Sequence, residues 1–169
     1  MPTFDPSCFG RVRAAVFDVD GVMTDGRVVA GADGTLQRSM SIRDGYALKR
    51  AVESGLRVGV ITGGSSEGVR RRLAGLGVHD YYSGVAEKLE VFEAYLARHG
   101  VPVAESLYMG DDLPDVAPLR AAGLGCAPAD ATPEVLAVAD YVSHLPGGGH
   151  CVREVLERVL RLRGSWTAA

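Results

Sequence analysis

The chain has few of the features by which several protein classes are recognised. Its three cysteines, Cys8, Cys126 and Cys151, stand far apart with no C-x-x-C, which argues against a disulfide framework or a zinc knuckle and for reduced thiols. No apolar run approaches the roughly 20 residues that a membrane helix needs. The opening MPTFDPSCFG also lacks a charged start followed by an apolar stretch, so no membrane association is predicted and a cytoplasmic location is expected. Positive charge is scarce: 18 Lys and Arg against 21 Asp and Glu leave a net charge of -3. A surface for neutralising many nucleic-acid phosphates is therefore not expected, and the longest basic run, Arg70 to Arg72, is short. G-x-x-x-x-G-K-[ST] is absent, and Gly123 and Gly125 are followed by Pro128 where a dinucleotide fingerprint wants its third glycine. ATP and NAD are not indicated.

What is present points to a single α/β domain. The 169 residues, 47% hydrophobic and 23% charged, suit one globular core. Strands are predicted over 12–18, 56–62, 80–82, 106–110, 124–127 and 141–143, and helices over 44–54, 66–76, 87–99, 113–122, 133–138 and 152–162. Strand–helix alternation of this kind favours a mostly parallel sheet covered on both faces, a Rossmann-like three-layer arrangement. One departure is RVVA at 27–30 and TLQRSM at 35–40, flanking a turn with Asp33-Gly34, which reads as a β-hairpin. The glycines at 147–149 form a loop candidate, and the tail GSWTAA is expected to be mobile, with Trp166 either docked on a neighbouring subunit or disordered.

Ligands of such sheets lie beyond the carboxyl ends of the strands. There the chain places Asp18 and Asp20, then Thr62, Gly63 and Gly64, then Asp111, Asp112 and Asp115, with Lys88 at a helix start. Crowded carboxylates repel one another unless a cation joins them, and donors that are all oxygen suit Mg²⁺, with Mn²⁺ or Co²⁺ as possible replacements. Asp18 is placed to attack phosphorus, Asp20 to protonate the departing alkoxide, Lys88 to offset negative charge, and Thr62 with the following backbone N–H groups to hold phosphate oxygens. Each residue also has an ordinary reading: Asp112 and Asp115 as helix caps, Thr62 as a turn residue, Lys88 as a solvated side chain. Their co-occurrence in order at predicted strand ends favours a site.

An EF-hand starting at Asp18 would need an oxygen donor, glycine and glutamate where Val22, Met23 and Val29 stand. Gly64-Ser65-Ser66-Glu67-Gly68 matches the G-x-S-x-G elbow of serine hydrolases, although Ser66 is equally a helix N-cap. A non-catalytic carbohydrate-binding module is the third alternative.

DVDGVMTDG at 18–26, VITGGSS at 60–66, GVAEKLEVF at 84–92 and YMGDDLPD at 108–115 resemble the four motifs of the haloacid dehalogenase superfamily, over roughly residues 12–163. The resemblance implies Asp18 as aspartyl-phosphate nucleophile, Asp20 as general acid and then base, and Thr62 and Lys88 as phosphate binders. It also implies that Asp111 holds Mg²⁺ with Asp18 and the Asp20 carbonyl, supported by Asp112 and Asp115. The gaps from Asp20 to Thr62 and from Thr62 to Lys88 are too short for a cap domain. The likeness is closest to the capless 3-deoxy-D-manno-octulosonate 8-phosphate phosphatases, where hairpins assemble a tetramer and a neighbour covers each site. That implies a sugar-acid phosphate substrate in lipopolysaccharide precursor synthesis, with a nine-carbon keto-sugar acid 9-phosphate as the alternative. Many relatives carry arginine at the position of Gly64 and near Gly149; here Arg43, Arg70 or a neighbouring subunit is expected to supply that charge.

Overall fold

The structure, a computed structural model, describes residues 5–166, so the last residues of the tail lie outside it. Six strands form a parallel sheet in the order β5-β4-β1-β6-β7-β8: β1 Ala14–Phe17, β4 Arg57–Ile61, β5 Asp80–Tyr82, β6 Ser106–Met109, β7 Leu124–Ala127 and β8 Tyr141–Val142. β1 is central and wholly buried. Its side chains alternate, Ala15 and Phe17 joining one core layer and Ala14 and Val16 the other, as a strand covered on both faces must.

The helices are α1 Ile42–Glu53, α2 Glu67–Gly75, α3 Lys88–His99, α4 Val116–Ala121, α5 Pro133–Leu136 and α6 Cys151–Leu162. Leu48 and Ala51 of α1 share one layer with Val155, Leu156 and Val159 of α6, while Phe92 and Tyr95 of α3 share the other with Leu119 of α4. Gly59 in β4 faces the Tyr95 ring so closely that a Cβ would stand 3.0 Å from it. The α/β sandwich and the hairpin agree with the reading from sequence.

Local differences have physical causes. Residues 113–122 do not form one helix: a 3₁₀ turn, Leu113–Asp115, precedes α4, because Asp112 and Asp115 form a reciprocal capping box around Pro114. The hairpin pairs only β2 Val29–Ala30 with β3 Leu36–Gln37, and all four residues are exposed, since no third strand supports them. An unpredicted 3₁₀ helix, Pro6–Arg11, is capped by Asp5 and buries Phe9. Trp166 departs from the disordered alternative. It packs edge-on to Tyr46, centroids 6.0 Å apart, with the Arg153 guanidinium 5.2 Å from its ring, so the tail as far as Trp166 is anchored on its own chain.

Asp44, 3% exposed between α1 and α6, accepts a hydrogen bond from the Arg153 backbone N–H at 2.8 Å through Oδ1, while Oδ2 has no partner. Burial pushes its carboxyl up from 3.8 to about 6. The folded state then binds this proton more readily than the unfolded one. The stability from protonated Asp44 is complete below the unfolded value and is lost as pH rises through about 6. Asp44→Asn keeps the acceptor without the charge, so its melting temperature should rise relative to wild type by on the order of 5 °C between pH 5 and pH 8. Parallel thermal melts across that range check this.

Candidate active site

Strand register aligns the chemistry. Phe17 pairs with Val60 on one side and Met109 on the other, so Asp18, Thr62 and Asp111 leave the sheet at nearly the same level. Asp18 N–H donates to the Met109 carbonyl at 3.0 Å, extending the β1–β6 ladder by one bond and fixing where its side chain emerges.

Asp18 is 6% exposed. Its Oδ1 accepts from the Val19 N–H at 2.7 Å, and its Oδ2 lies 3.0 Å from Lys88 Nζ. Lys88, the first residue of α3 and itself buried, also donates to Asp115 Oδ1 at 2.8 Å. That oxygen receives the Tyr108 hydroxyl at 2.7 Å, while Oδ2 of Asp115 accepts from the N–H groups of Asp111 and Asp112 at 3.2 and 3.4 Å. Both Asp115 oxygens are thus engaged within the fold. Asp111 differs: its buried Oδ1 has no partner. Gly21, at φ +89°, lies directly against the Asp111 carboxylate, and any Cβ there would collide with it.

Burial first, then the Asp115 charge, raises the Asp18 carboxyl to about 6 against the opposing pull of Lys88. Burial and the charges of Asp18, Asp115 and Asp112 push Asp111 to about 7. For Lys88 desolvation favours the neutral amine, but the charges and hydrogen bonds of Asp18 and Asp115 outweigh it and raise its pKa. Burial and Asp115 keep the Tyr108 hydroxyl protonated as a donor. Oxygens of Asp18, Asp111 and Asp115 come within 4.8 Å of one another. Such crowding of carboxylates is relieved by a bound cation.

A cleft of about 670 Å³ is lined by Asp18, Asp20, Thr62, Gly63, Gly64, Lys88 and Asp111, with Asp112 and Asp115 at one side. Thr62 Oγ1 accepts from the Gly64 N–H at 3.3 Å, closing the loop after β4. Asp112 accepts from Leu113 N–H as a cap. Two expected contributors lie elsewhere. Arg70 is held by Glu67 one turn away, at 2.6 Å, and Arg43 lines a separate cavity with His150 and Arg153. Local ion pairing and helix phase direct both away from the cleft. Ser66 accepts from Val69 N–H as the N-cap of α2, while His99, His144 and His150 are engaged by Asp80, Glu154 and Ser41. The nucleophile-elbow reading thus gives way to the cap.

No sequence motif marks Arg38 as a contributor to the cleft. Its guanidinium pairs with Asp20 at 2.6 and 2.9 Å beside Gly64. A charged residue in an exposed hairpin reads locally as edge protection, and only the fold brings it to the cleft.

Known proteins resemble this chain in sequence and in fold. The haloacid dehalogenase-like hydrolase family profile matches residues 42–123. The 3-deoxy-D-manno-octulosonate 8-phosphate phosphatase KdsC of Salmonella typhi is 37% identical over 91% of this chain and 82% of its own length. The crystal structure of the phosphatase of that name from Yersinia pestis superposes with a TM-score of 0.92 at 33% identity, covering 95% of this chain and 86% of that one. The Moraxella catarrhalis phosphatase of that name, solved with magnesium ion, phosphate ion and KDO, gives 0.91 at 31% identity over 94% and 91%.

Proposed function

This chain belongs to the haloacid dehalogenase-like hydrolases, among their 3-deoxy-D-manno-octulosonate 8-phosphate phosphatases, and on that premise we propose that it hydrolyses this eight-carbon sugar-acid phosphate to the free acid and phosphate. The observation that carries the reading is the convergence of Asp18, Thr62, Lys88 and Asp111 on one cleft.

The residues suit a two-step transfer. Asp18 attacks phosphorus, the bond from phosphorus to the sugar oxygen breaks, and Asp20 gives its proton to that oxygen. Asp20 then takes a proton from a water that attacks the aspartyl-phosphate, and phosphate leaves Asp18 free. Lys88, 3.0 Å from Asp18, offsets negative charge as it builds between nucleophile and phosphate. Thr62 and the backbone N–H groups of Gly63 and Gly64 are assigned to the phosphate oxygens. Arg43 and Arg70 receive no part in this assignment.

The cleft fits a divalent cation. The unpartnered Asp111 Oδ1 and the raised carboxyls of Asp18 and Asp111 call for positive charge, and oxygen-only donors suit Mg²⁺. Asp18, Asp111 and the Asp20 carbonyl would hold it, while Asp115, with both oxygens engaged, and Asp112 support that set. When bound, Mg²⁺ supplies charge neutralisation for the phosphate and these carboxylates.

The exposed apolar hairpin residues Val29 and Leu36 support assembly into a homotetramer through the hairpins. No helix among the described residues is long and apolar enough to cross a membrane, and the enzyme is assigned to the cytoplasm and to lipopolysaccharide precursor synthesis. The decisive assay is phosphate release from the eight-carbon 8-phosphate and a nine-carbon keto-sugar acid 9-phosphate. Expected is a higher kcat/KM on the eight-carbon substrate, lost in EDTA and restored by Mg²⁺. A higher kcat/KM on the nine-carbon substrate would reassign the substrate, and full activity in EDTA would remove the metal.

A further inference from the structure

Arg38 immediately follows β3, whose own residues are exposed, yet its side chain turns inward and is only 6% exposed. Its Nε donates to Asp20 Oδ1 at 2.6 Å and its Nη2 to Oδ2 at 2.9 Å, a fork on both carboxylate oxygens. Nη1 donates to the Leu36 carbonyl at 3.2 Å, bracing the guanidinium against its own strand. A planar five-donor group gripping both oxygens fixes the rotation of a carboxylate as well as its distance. The space for this grip is next to Gly64, where a Cβ would stand 3.0 Å from Arg38 Nη2 and 3.1 Å from Asp20 Oδ2. Asp20 itself remains 34% exposed on its cleft side, so two carboxylate lone-pair sites stay open to water and substrate.

We propose that Arg38 is a positioning residue that holds the Asp20 carboxylate for the second half of the reaction, the attack of water on the aspartyl-phosphate. The proposal rests on the acid–base reading of Asp20. The fork grips the ionised carboxylate, the form that Asp20 has after protonating the sugar alkoxide and before accepting a proton from water. Losing the grip leaves the carboxylate on a turn between β1 and the hairpin with freedom to swing, and a displacement of about 1 Å from a productive geometry costs on the order of 100-fold. The hairpin thereby becomes part of the catalytic machinery through a single side chain.

The test measures kcat, KM and the fraction of enzyme trapped as phosphoenzyme by acid quench during turnover, in wild type, Arg38→Met, Arg38→Lys and Asp20→Asn. Arg38→Met should lower kcat about 10- to 100-fold and raise the trapped fraction, with KM falling in step so that kcat/KM is little changed. Arg38→Lys, which keeps the charge without the fork, should show the same pattern more weakly and serves if the methionine variant fails to fold. Adding Arg38→Met to Asp20→Asn should slow turnover no further, since the one acts through the other. A rise in KM alone would make Arg38 a substrate-binding residue and overturn the proposal, as would a fall in kcat without added phosphoenzyme. Asp20→Asn separates the two levels: full activity in that variant would overturn the acid–base reading itself, whereas its loss beside an unaffected Arg38→Met would overturn only the positioning role.

Discussion

Asp18→Asn should lower kcat by about four to six orders of magnitude, the scale on which removing a nucleophile acts, while the metal-free protein becomes no less stable at pH 8. The two halves of this expectation have one source. The carboxylate proposed to attack phosphorus is held among Asp111 and Asp115, where burial and the Asp115 charge lift it to about 6. A carboxyl raised in the folded state contributes stability when protonated, and that contribution disappears as pH rises through about 6. Asparagine retains the acceptor for the Val19 N–H and drops the charge that the fold tolerates poorly. Thermal melts in EDTA, run beside the kinetic assay, should show an equal or higher melting temperature for the variant. A variant that is inactive because it is unfolded would break the link between site charge and function.

Lys88→Met should separate from Asp18→Asn by damaging both properties. Lys88 is 4% exposed and its ammonium bonds two buried carboxylates at 3.0 and 2.8 Å. Methionine fills much of the volume but leaves Asp18 and Asp115 facing each other uncompensated. Removing one partner from a buried ion pair typically costs about 3–5 kcal/mol, so the melting temperature should fall by on the order of 10 °C. The loss should be smaller at pH 5 than at pH 8, because Asp18, already raised, takes up a proton more readily once its counter-charge is gone. Catalysis should fall by about 10²–10³, the cost of removing one preorganised electrostatic donor. Equal destabilisation at both pH values would mean that lost packing, not unpaired charge, dominates. Opposite stability changes from Asp18→Asn and Lys88→Met would show that the cluster carries excess negative charge in the absence of metal.

The sheet and the location of the cleft were legible because their signals are local. β5 and β7 stand at the bounds expected from sequence, and Lys88 opens α3 as a helix-start residue. Apolar runs ending in glycine and aspartate mark strand ends, and parallel register then makes those ends neighbours without any long-range information. The features missed are those decided by tertiary contact. Arg38 looks like an ordinary hairpin charge until the hairpin folds over Gly64. Asp115 is named from sequence as a supporting residue, but only the fold shows how its two oxygens organise Lys88, Tyr108 and the backbone of the loop after β6, which is also why the expected helix over 113–122 begins as a tight 3₁₀ turn. Trp166 has no periodic context at all, and its place follows from Tyr46 and Arg153, both distant in sequence. Arg43 and Arg70 failed as cleft residues for a related reason: their positions in sequence are near the site, but helix phase and a neighbouring glutamate decide where their charges go.

Acid-quenched turnover of the wild-type enzyme with Mg²⁺ and the eight-carbon substrate, followed by borohydride reduction and peptide mass spectrometry, tests the nucleophile most directly. Homoserine at position 18, the reduction product of an aspartyl-phosphate, is the expected finding. Rapid phosphate release with Asp18 unmodified, and persisting in Asp18→Asn, would contradict covalent transfer through this residue.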